Sequence, residues 1–158
     1  PGSYTGLRIV TSFAKVFFYS LGTPLISIST LKTMAFGMSK IEDYTFYCPM
    51  IDARRMEVFS AIYDKNNNQV RGVQADVVKE DTYIKYLKDR VLFFGDGALK
   101  CKAIINSANA HFIDGMFPSA SNMGELAFLK FCNHDFEDVA YFEPFYLKDF
   151  IPGLNKKR

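Results

Sequence analysis

The spacing of apolar residues near the start of the chain predicts an amphipathic helix over residues 7–21. One row recurs at intervals of three and four and lies along one helix face; it comprises Leu7, Val10, Ala14, Phe17 and Leu21. A second row beside it comprises Ile9, Phe13 and Val16. At 100° per residue the apolar arc spans roughly 200°, about twice the width that a surface helix needs. Gly22 and Pro24 follow, as expected after the end of a helix.

Two interpretations of this wide apolar face are open. In the first, one row covers the sheet of the same domain and the rest of the chain covers the other row, so the helix is a buried core element. In the second, a partner protein covers the second row, and the helix is shared between two chains.

The first six residues, Pro-Gly-Ser-Tyr-Thr-Gly, predict a turn that leads into this helix. The hydroxyl of Ser3 or Thr5 could cap the helix by accepting a hydrogen bond from an amide of the first turn. Gly2 and Gly6 partly resemble a phosphate-binding loop, but Leu7 stands where a Walker motif requires lysine, so that motif is excluded. Anion binding at the helix N-terminus and a tight turn that only orients the helix are both open.

Residues 1–40 are predicted to form a helix, a strand and a second helix, which is a piece of a layered α/β lobe. The strand covers residues 24–29, and Ser29 caps a helix whose apolar residues are Leu31, Met34, Ala35 and Met38. One strand cannot form a sheet, so its partners are expected in a preceding segment or in another chain. The polar connector 41–45 is the predicted boundary to a second lobe over residues 41–158.

The second lobe begins with a pattern that predicts an antiparallel meander. Its three strands cover residues 46–51, 57–63 and 69–78, with turns at 52–55 and 65–68 and a bulge at Gly72. The pattern then predicts a helix over 80–88, a central strand over 91–94, a helix over 98–105, a strand over 111–113 and a helix capped by Ser121.

Gly95-Asp96-Gly97 lies between the central strand and a predicted helix. The glycines would let a ligand approach the backbone, and Asp96 could contact a ribose or a cation. A plain strand-to-helix turn explains the same residues without a ligand.

The densest charge cluster of the chain comprises Asp52, Arg54, Arg55 and Glu57. It could bind a carboxylate or a phosphate through the guanidinium groups. Alternatively, it is a hairpin turn with local ion pairs, each contributing under about 1 kcal/mol.

Composition narrows the function classes. The 158 residues include 19 basic and 17 acidic side chains, and a net charge of +2 does not favour nucleic-acid binding by the overall field alone. Cys48, Cys101 and Cys132 lie far apart without metal-ligand spacing, which indicates reduced, mostly buried thiols in a cytoplasmic protein. No apolar run reaches 18 residues, and neither HxxxH nor HExxH occurs, so no membrane span and no metal site of that kind are predicted.

Several motifs resemble those of the TsaB (YeaZ) family and occur in the order that the family has. Residues 1–8 are similar to its G-P-G-S-[FY]-T-G-[LV]-R helix start, and residues 51–58 to its I-D-A-R-x-G-E-V hairpin, with Met56 at the glycine position. Residues 24–31, 95–98 and 144–148 resemble its next strand, its G-[ND]-G-A turn and its P-x-Y-L-[RK] element. The motif residues of the two turns include Gly2, Ser3, Thr5, Gly6, Arg8, Asp52 and Arg54.

The resemblance implies a two-lobed actin/Hsp70/sugar-kinase-like (ASKHA) α/β fold, with the first lobe incomplete in this chain because the family's first segment has no counterpart. It implies a non-catalytic, Gcp-like (glycoprotease, M22 peptidase-like) subunit that lacks the metal-binding histidines of the catalytic subunit. Such a subunit binds a TsaD-type catalytic subunit and, with a TsaE-type ATPase, supports threonylcarbamoyl transfer to adenosine in tRNAs that read codons starting with A. It reaches tRNA only through the complex, in the cytoplasm.

In the family, the helix after the first motif lies at an interface with TsaD or in a homodimer. The candidate interface residues are Leu7, Val10, Phe13, Ala14, Phe17 and Leu21. No cofactor of its own is implied, and ATP or ADP at the interface with the partner, near Gly95, Asp96 and Gly97, is left open. The rival hypothesis is an enzyme of the same fold, either a metallopeptidase or a nucleotide hydrolase.

Overall fold

The structure, a computed structural model, describes residues 4–41 and 43–147. The chain divides into two compact units, one formed by residues 26–135 and the other, as far as described, by residues 4–25 and 136–147. The helices are α1 (Tyr4–Leu21), α2 (Thr30–Ser39) and α3 (Met123–Cys132). The strands are β1 (Phe46–Asp52), β2 (Glu57–Asp64), β3 (Gln69–Val77), β4 (Val91–Phe94) and β5 (Ala110–Ile113).

The five strands of the larger unit form one mixed sheet in the order β3-β2-β1-β4-β5. The predicted meander is confirmed, because β1, β2 and β3 pair antiparallel, while β1–β4 and β4–β5 pair parallel. The bulge predicted at Gly72 is also confirmed, since Ser60 pairs with Gln74 and Ile62 with Arg71, which leaves two residues of β3 opposite one of β2. The fully buried β4 lies in the interior of the sheet, between β1 and β5, as its apolar run predicts.

Alternating side chains of the central strands fill two apolar layers, one on each face of the sheet. On one face, α2 packs its predicted apolar residues against side chains of β1, β2 and β4 such as Tyr47, Tyr63, Leu92 and Phe94. On the other face, Cys48, Met50, Val58 and Phe93 pack with Tyr83, Cys101 and Ile105 from the connecting segments. The apolar surface that the sheet leaves on both sides is therefore covered within this unit.

A buried polar network ties β2 and β3 to the segment that follows them. The hydroxyls of Ser60 and Tyr83 both donate to Oδ2 of Asp76, at 2.6 and 3.0 Å. Arg71 donates to the same carboxylate from Nη1 to Oδ2 at 2.8 Å and from Nη2 to Oδ1 at 2.5 Å. Burial alone raises the pKa of Asp76, but hydrogen bonds from Arg71 and Ser60 outweigh it and lower that pKa below its usual value.

In the smaller unit, α1 ends at Gly22 as predicted. Gly22 adopts a φ of +61°, its amide donates to the carbonyl of Tyr19, and the amide of Thr23 donates to the carbonyl of Phe18. This pair of bonds is the Schellman arrangement, in which glycine tolerates the left-handed conformation.

Several predictions about the first 40 residues are wrong. Thr5 and Gly6 lie inside the first turn of α1 instead of in a preceding turn, so Thr5 does not cap the helix; Gly2 and Ser3 lie outside the described residues. Residues 24–29 form no regular strand, because their single bridge in the described chain joins Leu25 to Glu137. Ser29 does occupy the N-cap position of α2, although its side chain makes no capping hydrogen bond.

Three predicted helical features of the larger unit are also corrected. Residues 80–88 form successive turns, since most of their backbone hydrogen bonds join residues three apart. Residues 98–105 contain only a 3₁₀ turn over Leu99–Cys101. The helix after residue 119 is preceded by a 3₁₀ turn, and it is Ser119, not Ser121, whose side chain accepts the capping hydrogen bond from a backbone amide.

The division between the two compact units falls after residues 25 and 135, not at residues 41–45. The assignment of 1–40 and 41–158 to two lobes stays a prediction. Within the described ranges, none of the helices has the length and apolar character required to cross a membrane.

We expect Asp76→Asn to lower the free energy of unfolding of the full-length protein by about 3 kcal/mol, because it leaves the mostly buried Arg71 guanidinium without its carboxylate. Urea denaturation measures the change. The matched control is Glu125→Gln, which breaks an exposed ion pair with Lys40 and should change stability by under about 1 kcal/mol. If the two substitutions lowered the free energy of unfolding equally, the buried network would not stabilise the fold more than an exposed ion pair does.

The same carboxyl group predicts a dependence of stability on pH. Its pKa is lower in the folded state than the unfolded value of about 3.9, so ionised Asp76 stabilises the fold above that pH. The contribution is lost as the pH falls through the folded pKa. The difference in unfolding free energy between wild type and Asp76→Asn should therefore be largest above about pH 5 and shrink below about pH 4. Denaturation curves at several pH values measure it; a constant difference would contradict the assignment.

Candidate functional site

The turn between β1 and β2 brings together the charge cluster predicted from the sequence. The amide of Ala53 donates to the carbonyl of Glu57 (3.1 Å), and the amide of Glu57 donates to the carbonyl of Arg54 (3.1 Å). Arg54 and Arg55 are both left-handed, with φ of 71° and 51°. Each such residue costs about 1 kcal/mol or more when it is not glycine. Met56, at the glycine position of the family motif, is not among the positive-φ residues of the described chain.

Lys100 holds this turn, a contact that the sequence analysis missed. Its ammonium group pairs with the carboxylate of Asp52 and donates to the carbonyls of Arg55 (2.8 Å) and Glu57 (2.7 Å). The hydrogen bond from Lys100, followed by that from the amide of Arg54, lowers the pKa of Asp52. The hairpin turn was predicted to have local ion pairs, but the ion pair that Asp52 makes is with a lysine 48 positions away.

The Gly95-Asp96-Gly97 turn lies against the same hairpin, so the structure unites two motifs that are far apart in the sequence. Oδ1 of Asp96 accepts a hydrogen bond from the amide of Asp52 at 2.9 Å. A Cβ on Gly95 would lie 2.3 Å from the carbonyl oxygen of Met50, and a Cβ on Gly97 would lie 3.0 Å from the amide nitrogen of Asp52. Close packing against β1 thus explains both glycines, and their assignment to a nucleotide stays a prediction.

The hairpin and the glycine turn meet at the carboxyl ends of two parallel strands. Asp52 ends β1, and Gly95 follows the last residue of β4, which pairs in register with Pro49 of β1. In α/β sheets this edge commonly carries ligand sites, because several loops converge there. We call residues 52–57 with Gly95, Asp96, Gly97 and Lys100 the braced hairpin.

The apolar face of α1 is exposed, and the interpretation of α1 as a buried core helix is wrong. No residue of α1 is buried. Val10, Phe13 and Phe17 expose 66%, 69% and 47% of their surface, and the rings of Phe13 and Phe17 stack with centroids 5.9 Å apart. The exposed apolar residues come from both predicted rows and comprise Ile9, Val10, Phe13, Val16, Phe17 and Leu21, whereas Leu7 and Ala14 are half-buried.

A cavity of about 400 Å³ lies within the smaller unit, on the polar side of α1. Its lining residues are Tyr4, Arg8, Thr11, Ser12, Lys15, Phe142, Glu143, Pro144 and Tyr146. Both cations have partners, since Arg8 donates to the hydroxyl of Tyr4 (3.2 Å) and Lys15 to the carbonyls of Ala140 (2.9 Å) and Phe142 (3.2 Å). Lys15 therefore joins α1 to the segment 140–146. The hydrogen bond of Arg8 stays within α1, where its partner Tyr4 contacts the ring of Tyr146.

A second cavity, of about 420 Å³, lies in the larger unit between the start of α2 and α3. Lys130 at its rim donates to the carbonyl of Ser27 (3.1 Å) and pairs with Asp135 (3.3 Å). Across residues 4–41 and 43–147, no group of three or more His, Cys, Asp or Glu residues is placed to hold a metal ion.

The thiols have no disulfide partners. Cys48 and Cys101 are buried and burial raises the pKa of each, while Cys132 is exposed. The prediction of free thiols that are mostly buried is confirmed, and neither buried thiol has the lowered pKa of a reactive nucleophile.

Comparison with known proteins identifies a family model and several relatives that this chain matches. The family model described as TsaD, tRNA N6-adenosine threonylcarbamoyltransferase, matches residues 1–142. The Bacillus subtilis (strain 168) tRNA threonylcarbamoyladenosine biosynthesis protein TsaB is 32% identical over 136 residues, which are 82% of this chain and 58% of the relative. The Escherichia coli (strain K12) protein of the same name is 28% identical over 156 residues, or 94% of this chain and 68% of the relative.

Two solved structures have a similar fold. One is the crystal structure of an uncharacterized protein with similarity to peptidase YEAZ from Pseudomonas aeruginosa, with a TM-score of 0.75 at 18% identity over 94% of this chain and 70% of that chain. The other, YeaZ from Pseudomonas aeruginosa, has a TM-score of 0.71 at 19% identity over 93% of this chain and 70% of that chain.

The chain spans somewhat more than half the length of the Bacillus subtilis relative and about two thirds of the Escherichia coli one. The family match covers both the α1 motif and the braced hairpin. The chain therefore belongs to the family that the TsaD model describes, and within it to the TsaB (YeaZ) proteins.

Proposed function

We propose that the protein acts in the biosynthesis of tRNA threonylcarbamoyladenosine as a non-catalytic subunit that binds a TsaD-type catalytic subunit through α1. The names of its TsaB relatives support the pathway. The observation that carries the binding role is the exposed apolar face of α1. An amphipathic helix that presents apolar residues at helical spacing is a common means of protein recognition.

The exposed face has the properties of a contact surface. Val10, Phe13 and Phe17 follow one another at intervals of three and four, so they form a continuous stripe along the helix. Aromatic residues are enriched at the centres of protein interfaces, and their burial stabilises a complex by removing apolar area from water. A stripe of this kind is better explained by a partner than by solvent.

The wider proposal follows the family resemblance. The protein adopts the two-lobed ASKHA fold, works in the cytoplasm with a TsaE-type ATPase, and meets tRNA only through the complex. A homodimer through α1 is an alternative use of the same face. The protein has no cofactor of its own, and ATP or ADP binds at the interface with the partner.

The rival function is a peptidase or nucleotide hydrolase of the same fold. It has support from the similarity to peptidase YEAZ noted for one structural neighbour. It predicts turnover by the isolated full-length protein, dependent on a metal ion. The non-catalytic proposal predicts turnover only when the TsaD-type subunit is present.

Phe13→Glu should abolish co-purification of the full-length protein with the TsaD-type subunit of the same cell, because a charge would be buried at the centre of the α1 interface. Since Phe13 is mostly exposed in the chain, the variant should fold, and circular dichroism checks this. Affinity capture of the tagged protein measures the association.

Tyr19→Glu is the matched control. Tyr19 is an aromatic residue of the same helix, 81% exposed and about 120° away from Phe13 around the axis, so its charge variant should retain the partner. Capture of the TsaD-type subunit by Phe13→Glu at the wild-type level would contradict the α1 interface. If Phe13→Glu still binds the TsaD-type subunit but no longer forms a homodimer in size-exclusion chromatography, the α1 face serves the homodimer instead.

For nucleotides, we expect calorimetry to detect ATP or ADP binding to the complex of the two subunits and none to the isolated protein. The reason is that the two glycines are packed against β1, and neither of the two cavities described above includes the glycine turn. Binding to the isolated protein of comparable affinity would show instead that the chain has a nucleotide site of its own.

A further inference from the structure

The end of the β1–β2 hairpin carries two arginines whose backbone conformation disfavours them. Arg54 and Arg55 are consecutive, both with positive φ, where hairpin turns usually have glycine, asparagine or aspartate. Strained residues that persist are a reason to look for a function of the side chain. The backbone here does not need arginine, so the guanidinium groups are the feature to explain.

The guanidinium groups are available for binding. Both arginines are exposed, and neither side chain makes a hydrogen bond or an ion pair within the residues that the structure describes. Two of the neighbouring carboxylates have other hydrogen-bond partners: Asp52 pairs with Lys100, and Oδ1 of Asp96 accepts the amide of Asp52. The side chain of Arg54 acts on Asp52 only through its charge, which helps to lower the pKa of that carboxyl. The charges of the two arginines are therefore not consumed by the pairs that hold the turn.

The turn that carries them is fixed from three sides. Lys100 binds the carbonyls of Arg55 and Glu57, Asp96 binds the amide of Asp52, and the carbonyl of Met56 accepts the amide of Val78 at 3.1 Å. Such bracing reduces the ordering that binding would otherwise require, because the two Cα positions are set in advance.

We propose that Arg54 and Arg55 form a phosphate-binding pair that contacts the backbone of tRNA when the protein is in its complex. Guanidinium groups bind phosphate oxygens with two parallel hydrogen bonds, and they do so without a cavity. Neither of the two cavities of about 400 and 420 Å³ includes a hairpin residue, so an extended polyanion suits the exposed turn better than a small nucleotide, which needs a concave site. The choice of tRNA as the polyanion rests on the proposed function.

The test uses the full-length protein with its TsaD-type subunit and a tRNA transcript that reads codons starting with A. Arg54→Gly/Arg55→Gly removes both guanidinium groups and also relieves the left-handed strain, so the melting temperature should stay the same or rise. We expect the tRNA affinity of the complex to fall about tenfold and the slope of log K against log salt to decrease by about 2, which a purely structural role would not produce.

The matched control is Lys65→Ala/Arg90→Ala. It also removes two positive charges, from exposed residues at the opposite end of the sheet, where Phe46 pairs with Asp64 and Val91. This variant should bind tRNA within about twofold of wild type, because overall charge alone has a small effect at physiological salt. Arg54→Lys/Arg55→Lys, which keeps the charges, should recover part of the affinity.

Unchanged tRNA affinity and salt slope in the glycine variant would overturn the proposal. A loss of ATP binding with tRNA binding intact would also overturn it, because the arginines would then serve a free nucleotide. If the wild-type protein does not capture the TsaD-type subunit, the proposed function fails separately. In that case tRNA binding is measured with the isolated full-length protein. Binding that depends on the two arginines supports the pair, whereas binding without that dependence, or no binding, overturns it.

Discussion

The parallel pairing of β1 with β4 is the constraint on which the larger unit depends. It places Cys48 beside Phe93 and Pro49 beside Phe94, so both apolar layers are assembled around these two strands. Because the strands run in the same direction, the residues that follow them emerge at one edge of the sheet. The contact between the β1–β2 turn and the glycine turn is a direct consequence of that geometry, and so is the reach of Lys100 to the hairpin.

The sheet was largely predictable because its strands have strong local signals. The apolar run of β4 and the asparagine-rich turn after β2 indicate buried strand and tight turn without reference to the rest of the chain. The short helical predictions failed for the opposite reason. Residues 80–88 are amphipathic, but the burial of Tyr83 and its bond to Asp76 hold that segment in successive turns. The strand predicted at 24–29 lacked a ladder of partners, and a strand is defined by its partners.

The candidate sites were predictable to different degrees. The excess apolar width of α1 follows from residue spacing alone, but the sequence could not separate exposed from half-buried positions, because these depend on contacts with residues distant in the chain. The charge cluster at 52–57 was visible, whereas the role of Lys100 was not, since 48 positions separate it from Asp52. The buried Arg71–Asp76 pair was missed because neither residue is distinguishable from a surface charge by local pattern.

The unequal burial of the three thiols has a practical consequence. Cys48 and Cys101 are enclosed in the core with raised pKa values, while Cys132 ends α3 in contact with solvent. A maleimide dye or spin probe will consequently react at one position of this chain without any engineered cysteine. α3 belongs to the larger unit and α1 to the smaller one. The distance between a probe at Cys132 and a second label on α1 would therefore measure the separation of the two units in solution.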